Sequence, residues 1–410
     1  MRSEKSFLYL LILTLFLTFN LLSCGGGDDG VIIVPKKSEL KVFVTSASGT
    51  GDLTSWTAYT ASGSSATGLE AGDAICQYLA KEAGLSGTFR AWLSDTDTDA
   101  YCHLHGRTGK KADNCGGTSL PKPYGPWVRM DGFPFGETID IITSDTGQIN
   151  APVQFDEKGN TLINRHYFTD TDDTGARPAY SSGSCSNWSS QIGSGNSATT
   201  GRSTHTTKGW TDSGGVGCDG VWRLLCMQIG RGPALPSHIS AGKKAFITSR
   251  GGSGNLSTWA DADGKEGLDA GDAICQSLAT IAGLANANKF KAWLSDSSTD
   301  AIDRFAYNGP WVRIDGVKIA DNKSDLTDGL LFSPINQTEE GHYRTNYGVW
   351  TGTEKNGEKS ANNCNNWTSD DGSGSLKGLR GVAYTADSYW TEAISNNCNT
   401  MQWLYCFEDE

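Results

Sequence analysis

Ala71-Gly72-Asp73-Ala74-Ile75-Cys76-Gln77, followed by Ala91-Trp92-Leu93-Ser94-Asp95, decides how this chain is read. Both blocks return in the same order as Ala270-Gly271-Asp272-Ala273-Ile274-Cys275-Gln276 and Ala292-Trp293-Leu294-Ser295-Asp296. Upstream of them, Lys41-Val42-Phe43-Val44-Thr45-Ser46 returns as Lys244-Ala245-Phe246-Ile247-Thr248-Ser249. Downstream, Gly125-Pro126-Trp127-Val128-Arg129 returns as Gly309-Pro310-Trp311-Val312-Arg313. Cys185, Trp188, Trp210, Cys218 and Cys226 match Cys364, Trp367, Trp390, Cys398 and Cys406. Two long copies in fixed order mean tandem globular domains, since a solenoid needs more and shorter repeats. We place the first over 41–229 and the second over 244–410, with a Gly- and Pro-containing linker over 230–243.

Inside each copy the hydrophobic periodicity changes along the chain. A β-rich opening leads to a helix carrying Ile75, Tyr78, Leu79 and Ala83 at helical spacing and ending near Gly84. A strand over Phe89 to Leu93 follows, with Ser94 and Asp95 suited to cap a short helix from Thr98 to Leu104. The remainder reads as short strands and loops that close on Trp222-Arg223-Leu224-Leu225-Cys226 and Trp403-Leu404-Tyr405-Cys406-Phe407. Helices early and strands late give an α+β class. With 13 Trp and 51 Gly in 410 residues, bulky aromatics carry the burial between glycine-rich loops.

The first residues look like an export signal. Arg2 and Lys5 precede an apolar run from Phe7 to Leu22, too short to span a bilayer, and Leu21-Leu22-Ser23-Cys24 is similar to a bacterial lipobox. On this reading 1–23 is a lipoprotein signal peptide and Cys24 is lipidated. Residues 24–40, opening Gly25-Gly26-Gly27-Asp28-Asp29-Gly30, form a flexible tether. The partner at this end is a membrane, and Gly25, rather than aspartate, after Cys24 is compatible with the outer membrane. The formal net charge is −12, and removing the net +1 of Arg2, Glu4 and Lys5 leaves about −13. Such a surface repels polyanions, so nucleic acid and heparin are poor candidate ligands.

Eleven cysteines in an exported chain belong in disulfides wherever parity allows. Copy two holds Cys275, Cys364, Cys398 and Cys406, a set with three open connectivities. Copy one holds the matching Cys76, Cys185, Cys218 and Cys226, plus Cys102 and Cys115 in an insertion of its own, which should pair locally. With Cys24 lipidated, no thiol is left for chemistry.

The residues also carry a resemblance. Gly84-Leu85-Ser86-Gly87-Thr88-Phe89-Arg90-Ala91-Trp92-Leu93-Ser94, with Cys76-Gln77 before it and Trp210, Cys218 and Leu225-Cys226 after it, resembles the endostatin domain of collagens, which has a C-type-lectin-like fold. More closely it resembles DUF1554, bacterial lipoprotein domains of unknown function found in spirochaetes such as Leptospira. The resemblance covers nearly all of both copies. It implies two tandem C-type-lectin-like domains, each a mixed sheet with one or two helices and long stapled loops. It also implies outer-to-outer and inner-to-inner bridges: Cys76 with Cys226, Cys185 with Cys218, Cys275 with Cys406, and Cys364 with Cys398. Endostatin's arginine cluster and zinc-binding histidines have no counterpart here, so neither property carries over.

Chemistry at recognisable motifs is sparse. The Glu-Pro-Asn and Trp-Asn-Asp triplets of calcium-dependent lectins are absent: Trp188 precedes Ser189-Ser190-Gln191 and Trp367 precedes Thr368-Ser369-Asp370. Asp170, Asp172 and Asp173, and Asp321, Asp325 and Asp328, read as solvated turns rather than a cation cage. Cys102-His103-Leu104-His105 reads as part of a disulfide loop rather than a zinc site. No nucleophile elbow is present, so no catalytic residue, metal or cofactor is assigned. The repeated tryptophans are expected in the core, and the loops from Tyr101 to Tyr124 and Tyr180 to Trp210, which differ between copies, on the contact face.

The expected role is a non-catalytic, adhesin-like module on the cell surface that recognises host matrix, protein or glycan. The alternatives are a structural envelope lipoprotein without a host ligand, and a lectin-fold enzyme, which would need reactive cysteines.

Overall fold

The computed structural model describes residues 39–410 apart from 145–148, 236–238 and 345–346. The signal peptide, Cys24 and all of the tether but Glu39 and Leu40 lie outside the described residues.

Copy one is built on β1 (Leu40–Val44), helix α1 (Gly68–Glu82), β2 (Phe89–Ala91), β3 (Trp127–Val128), β4 (Pro134–Gly136), β5 (His166–Phe168), β6 (Ser197–Arg202), β7 (Gly215–Gly217) and β8 (Arg223–Gln228). Copy two repeats the plan as β9 (Lys243–Ile247), α2 (Gly267–Ile281), β10 (Phe290–Ala292), β11 (Trp311–Val312), β12 (Lys318–Ala320), β13 (Gly348–Trp350), β14 (Lys377–Val382), β15 (Ile394–Asn397) and β16 (Tyr405–Glu408). The class is α+β. Leu40, read as the end of the tether, already belongs to β1, and Lys243, read as the last linker residue, opens β9.

The sheets are mixed. β8 runs antiparallel to β1 and β2 and parallel to β5, while β3 joins β1 in parallel. Copy two pairs β16 with β9 and β10, and β11 with β9, in the same senses. Its β13 forms an isolated parallel bridge, Val349 to Trp403, just ahead of β16 rather than within it, so β13–β14–β15 stands as a separate sheet.

Strand alternation explains two cores per copy. Phe43, Leu224 and Cys226 point toward α1, where they meet Ile75, Cys76 and Leu79. Val42, Val44, Leu225 and Met227 point the other way, onto Trp92, Trp127 and Trp210. Copy two divides likewise.

The repeated Ala-Gly-Asp-Ala-Ile-Cys block gains a reason for nearly every letter. A Cβ on Gly72 would lie 2.9 Å from Leu93 Cδ1 and 3.0 Å from Ala91 Cβ, so glycine lets the helix press against the strand. Asp73 Oδ1 accepts from the Ala91 backbone N–H at 2.9 Å, and Asp272 does the same for Ala292. Ile75 fills the core and Cys76 is bonded to the last strand. The short helix expected over 98–104 covers only Ala100–Leu104. Asp95 instead closes a turn by accepting from the Thr98 N–H, and Ser94 Oγ accepts from the N–H of Ala100.

The copies pack on each other through polar contacts that relate matching positions. His205 and Thr385, which follow the equivalent Gly201 and Gly381 at the same spacing, form an antiparallel bridge. Arg129 Nη1 donates to the Phe332 carbonyl at 3.1 Å and Gln154 Nε2 to the Leu331 carbonyl at 2.9 Å. Thr204 Oγ1 donates to Asp387 Oδ2 at 2.9 Å, and Asn336 Nδ2 to Thr206 Oγ1 at 3.1 Å. Among the described residues no helix is long and apolar enough to cross a membrane.

Candidate binding site

The cysteines in the described residues are all bridged: Cys76–Cys226, Cys102–Cys115, Cys185–Cys218, Cys275–Cys406 and Cys364–Cys398. The two longest loops tie each helix to its copy's final strand with Cα atoms 5.5 Å apart. Cys24 lies outside the described residues.

The other motif residues are absorbed by local structure. His103 Nε2 lies 2.9 Å from Asp73 Oδ1, and His105 Nδ1 lies 2.8 Å from the Tyr101 carbonyl while its ring stacks on Tyr124. Asp170, read as part of a solvated turn, is instead fully buried, because it accepts from Arg177 Nε at 3.1 Å, the Thr199 N–H at 3.0 Å and the hydroxyls of Ser181 and Ser184. Asp172 closes a turn through the N–H groups of Thr174 and Ala176. Asp321 pairs with Lys318, and its N–H donates to Asp325 Oδ2. Among the described residues no three His, Cys, Asp or Glu side chains gather as a metal site would require.

All eight of the repeated tryptophans are buried. The expected contact loops require correction. Tyr101, Cys102 and Leu104 lie in the core of copy one, because the insertion that begins there is pulled inward by Cys102–Cys115. Ser203, Thr204, Thr206 and Trp210 are buried too, the threonines against copy two. Tyr180 is exposed, its hydroxyl donating to Asp212.

The two copies diverge at one place on the sheet. In copy one, β5 and β6 pair Tyr167 with Gly201 and Phe168 with Thr200; in copy two, β13 and β14 pair Val349 with Gly381 and Trp350 with Arg380. His166 thus corresponds to Gly348 and Thr200 to Arg380. The bridges Gly49–Trp222 and Gly252–Gln402 make Trp222 and Gln402 equivalent.

In copy one this place is filled. The His166 ring lies 5.1 Å from the Trp222 ring, and its Nδ1 is 3.0 Å from Thr200 Oγ1. Burial, with help from the Arg202 cation, pushes the imidazole down to about 4, so it is neutral at pH 7. In copy two the missing side chain at Gly348 opens a groove of about 270 Å³ lined by Tyr347, Gly348, Arg380, Val382, Tyr384, Met401, Gln402 and Trp403. A Cβ there would lie 2.8 Å from Arg380 Nη1 and would collide with Gln402 Oε1, so a larger residue would push both side chains into the space the groove occupies. The Tyr347 and Trp403 rings meet edge to face at 4.1 Å, and Arg344 lies over Tyr347 with its Cζ 5.3 Å from the ring centre.

Arg380 is the chemical centre of the groove. It forms no ion pair with a described carboxylate; its Nη1 reaches only the Gly381 carbonyl, at 3.4 Å, and its buried Nε–H has no hydrogen-bond partner among the described residues. Burial lowers its pKa, the tyrosines 384 and 405 partly opposing. An arginine with spare donors in a recess is arranged to take an anionic oxygen pair. Sequence reading did not single out these residues; a position-by-position comparison of the copies, His166 against Gly348 and Thr200 against Arg380, is the signal that points to them.

No protein-family model matches the chain, and a search of curated proteins finds no significant match.

Proposed function

We propose that this chain is a non-catalytic recognition module of the bacterial cell envelope, lipid-anchored through Cys24 at the outer membrane and displayed at the cell surface. Its two halves are read as C-type-lectin-like, endostatin-like domains of the DUF1554 kind, and its partner as an extracellular protein or glycan. The net charge of −12 argues against nucleic acid as its partner.

One observation carries the reading. The same disulfide-stapled scaffold is used twice, with its helix, strands and buried tryptophans kept, while a matching surface position is filled in one copy and opened into a groove with a spare guanidinium in the other. A constant frame with a variable recess suits binding. The closed cysteines support a role without thiol chemistry, and the bridge from helix to final strand supports the lectin-like assignment.

The test is a surface-binding screen of the purified chain against matrix proteins and glycans, paired with protease shaving of intact cells. Saturable binding and loss of the protein on shaving are expected. No saturable ligand, or complete protection from protease, would overturn the proposal.

A further inference from the structure

We propose that the groove between Arg380 and Trp403 binds a carboxylate-bearing saccharide, of the uronic- or sialic-acid class, its carboxylate on the Arg380 guanidinium and its ring against the aromatic wall. This rests on the recognition reading above and names the site and ligand class.

The guanidinium decides the charge of the ligand. A buried N–H without a partner is costly, and Arg380 Nε is such a group among the described residues. The planar fork of arginine matches a carboxylate, and a guanidinium that pairs with no described carboxylate attracts an anion even in a chain of net charge −12. The walls decide the rest. Tyr347, Tyr384 and Trp403 offer aromatic surface, while the Gln402 amide and tyrosine hydroxyls offer donors and acceptors, a mixture suited to a ring bearing hydroxyls. About 270 Å³ accommodates one sugar ring rather than an extended peptide. Copy one gives the contrast: His166 and Thr200 take the positions of Gly348 and Arg380, the His166 ring packs against Trp222, and the copy-one cation, Arg202, sits opposite His166 and donates to Asn164 Oδ1.

Calorimetric titration of the full-length chain, purified in detergent, tests this with D-glucuronate and N-acetylneuraminate as probes. D-glucose, acetate and glucose 6-sulfate serve as neutral, bare-carboxylate and sulfate controls. Saturable binding of at least one acid at one site per chain is expected, with each control at least tenfold weaker. Arg380→Thr, which installs the residue of copy one, should weaken the acid at least tenfold with an unchanged melting temperature. Arg380→Lys, which keeps the charge but loses the fork, should also weaken it, and it keeps the test decisive if the threonine variant is unstable. No saturable binding of either acid, equal binding of glucose, acetate or the sulfate, or full affinity in both variants would overturn the proposal. A matrix or glycan ligand whose binding ignores both variants would overturn this site while leaving the recognition reading intact. Acid binding lost in the variants, with a blank surface screen, would support the groove and overturn the broader reading.

Discussion

Arg129 of the first copy donates through Nη1 to the carbonyl of Phe332 in the second, at 3.1 Å, from a side chain with no solvent exposure. The same guanidinium bonds the Pro152 carbonyl, Gln154 Oε1 and the Asp131 carboxylate. Replacing it strands these acceptors at the seam between the copies. Arg129→Met should cost about 3 kcal/mol or more, read as a fall in the midpoint of urea unfolding. A change below about 0.5 kcal/mol, the scale of ordinary surface substitutions, would show that the contact does not hold the copies together.

Asp272 and Arg304 form a two-pronged pair, with Nη2 at 2.7 Å from Oδ1 and 2.8 Å from Oδ2, while Oδ1 also takes the Ala292 N–H. Burial raises the Asp272 pKa, with the Arg304 charge opposing. Asp272→Ala removes the pin between α2 and β10 and leaves a largely buried guanidinium, so a loss of about 3 kcal/mol is expected. The double variant Asp272→Ala with Arg304→Met should recover part of it, as a double-mutant cycle would measure.

The bridges should differ in worth by loop length. Removing Cys275–Cys406, which spans 131 residues, should destabilise by about 4 to 5 kcal/mol, and removing Cys102–Cys115, which spans 13, by about 3 kcal/mol. Paired Cys→Ala variants compared by thermal unfolding would check the order, and the reverse order would contradict it.

His205 sits in the seam against Tyr384, and burial, with the Arg202 and His166 charges adding to it, pushes its pKa down to about 3. In the unfolded chain it titrates near 6.5. The unfolded state therefore binds more protons between these values, so the contribution is fully present above about pH 6.5 and is lost as pH falls toward 3. The expected slope from this residue is about 1 kcal/mol per pH unit. His205→Gln should flatten the pH profile of unfolding in that window; an unchanged profile would show that another group causes it.

Much of the frame was legible along the chain. The duplication is written in matching blocks, the α+β class in the change from helical to strand periodicity, and the tryptophans' place in the core in their size and repetition. Ile75 and Leu79 identified the buried face of the helix because α-helical spacing is a local property. Less legible were the roles of Gly72 and Asp73, whose partners Ala91 and Leu93 lie on a separate element. The contact face was misread at Tyr101, at Thr204 to Thr207 and at Trp210, because difference between copies marks exposed loops and also marks an insertion folded inward and a seam between copies.

By itself, then, the order of residues determined the twofold use of one scaffold, its class and an even complement of sulfur in each half, because repetition, periodicity and parity are properties of a string. Only the tertiary structure decided which surfaces remain open. Gly348, Arg380 and Trp403 come from separate strands and a loop, and a recess exists only where a missing side chain on one strand lies beside a guanidinium on the next. That proximity is set by strand register and by packing across the sheet, which no local pattern encodes.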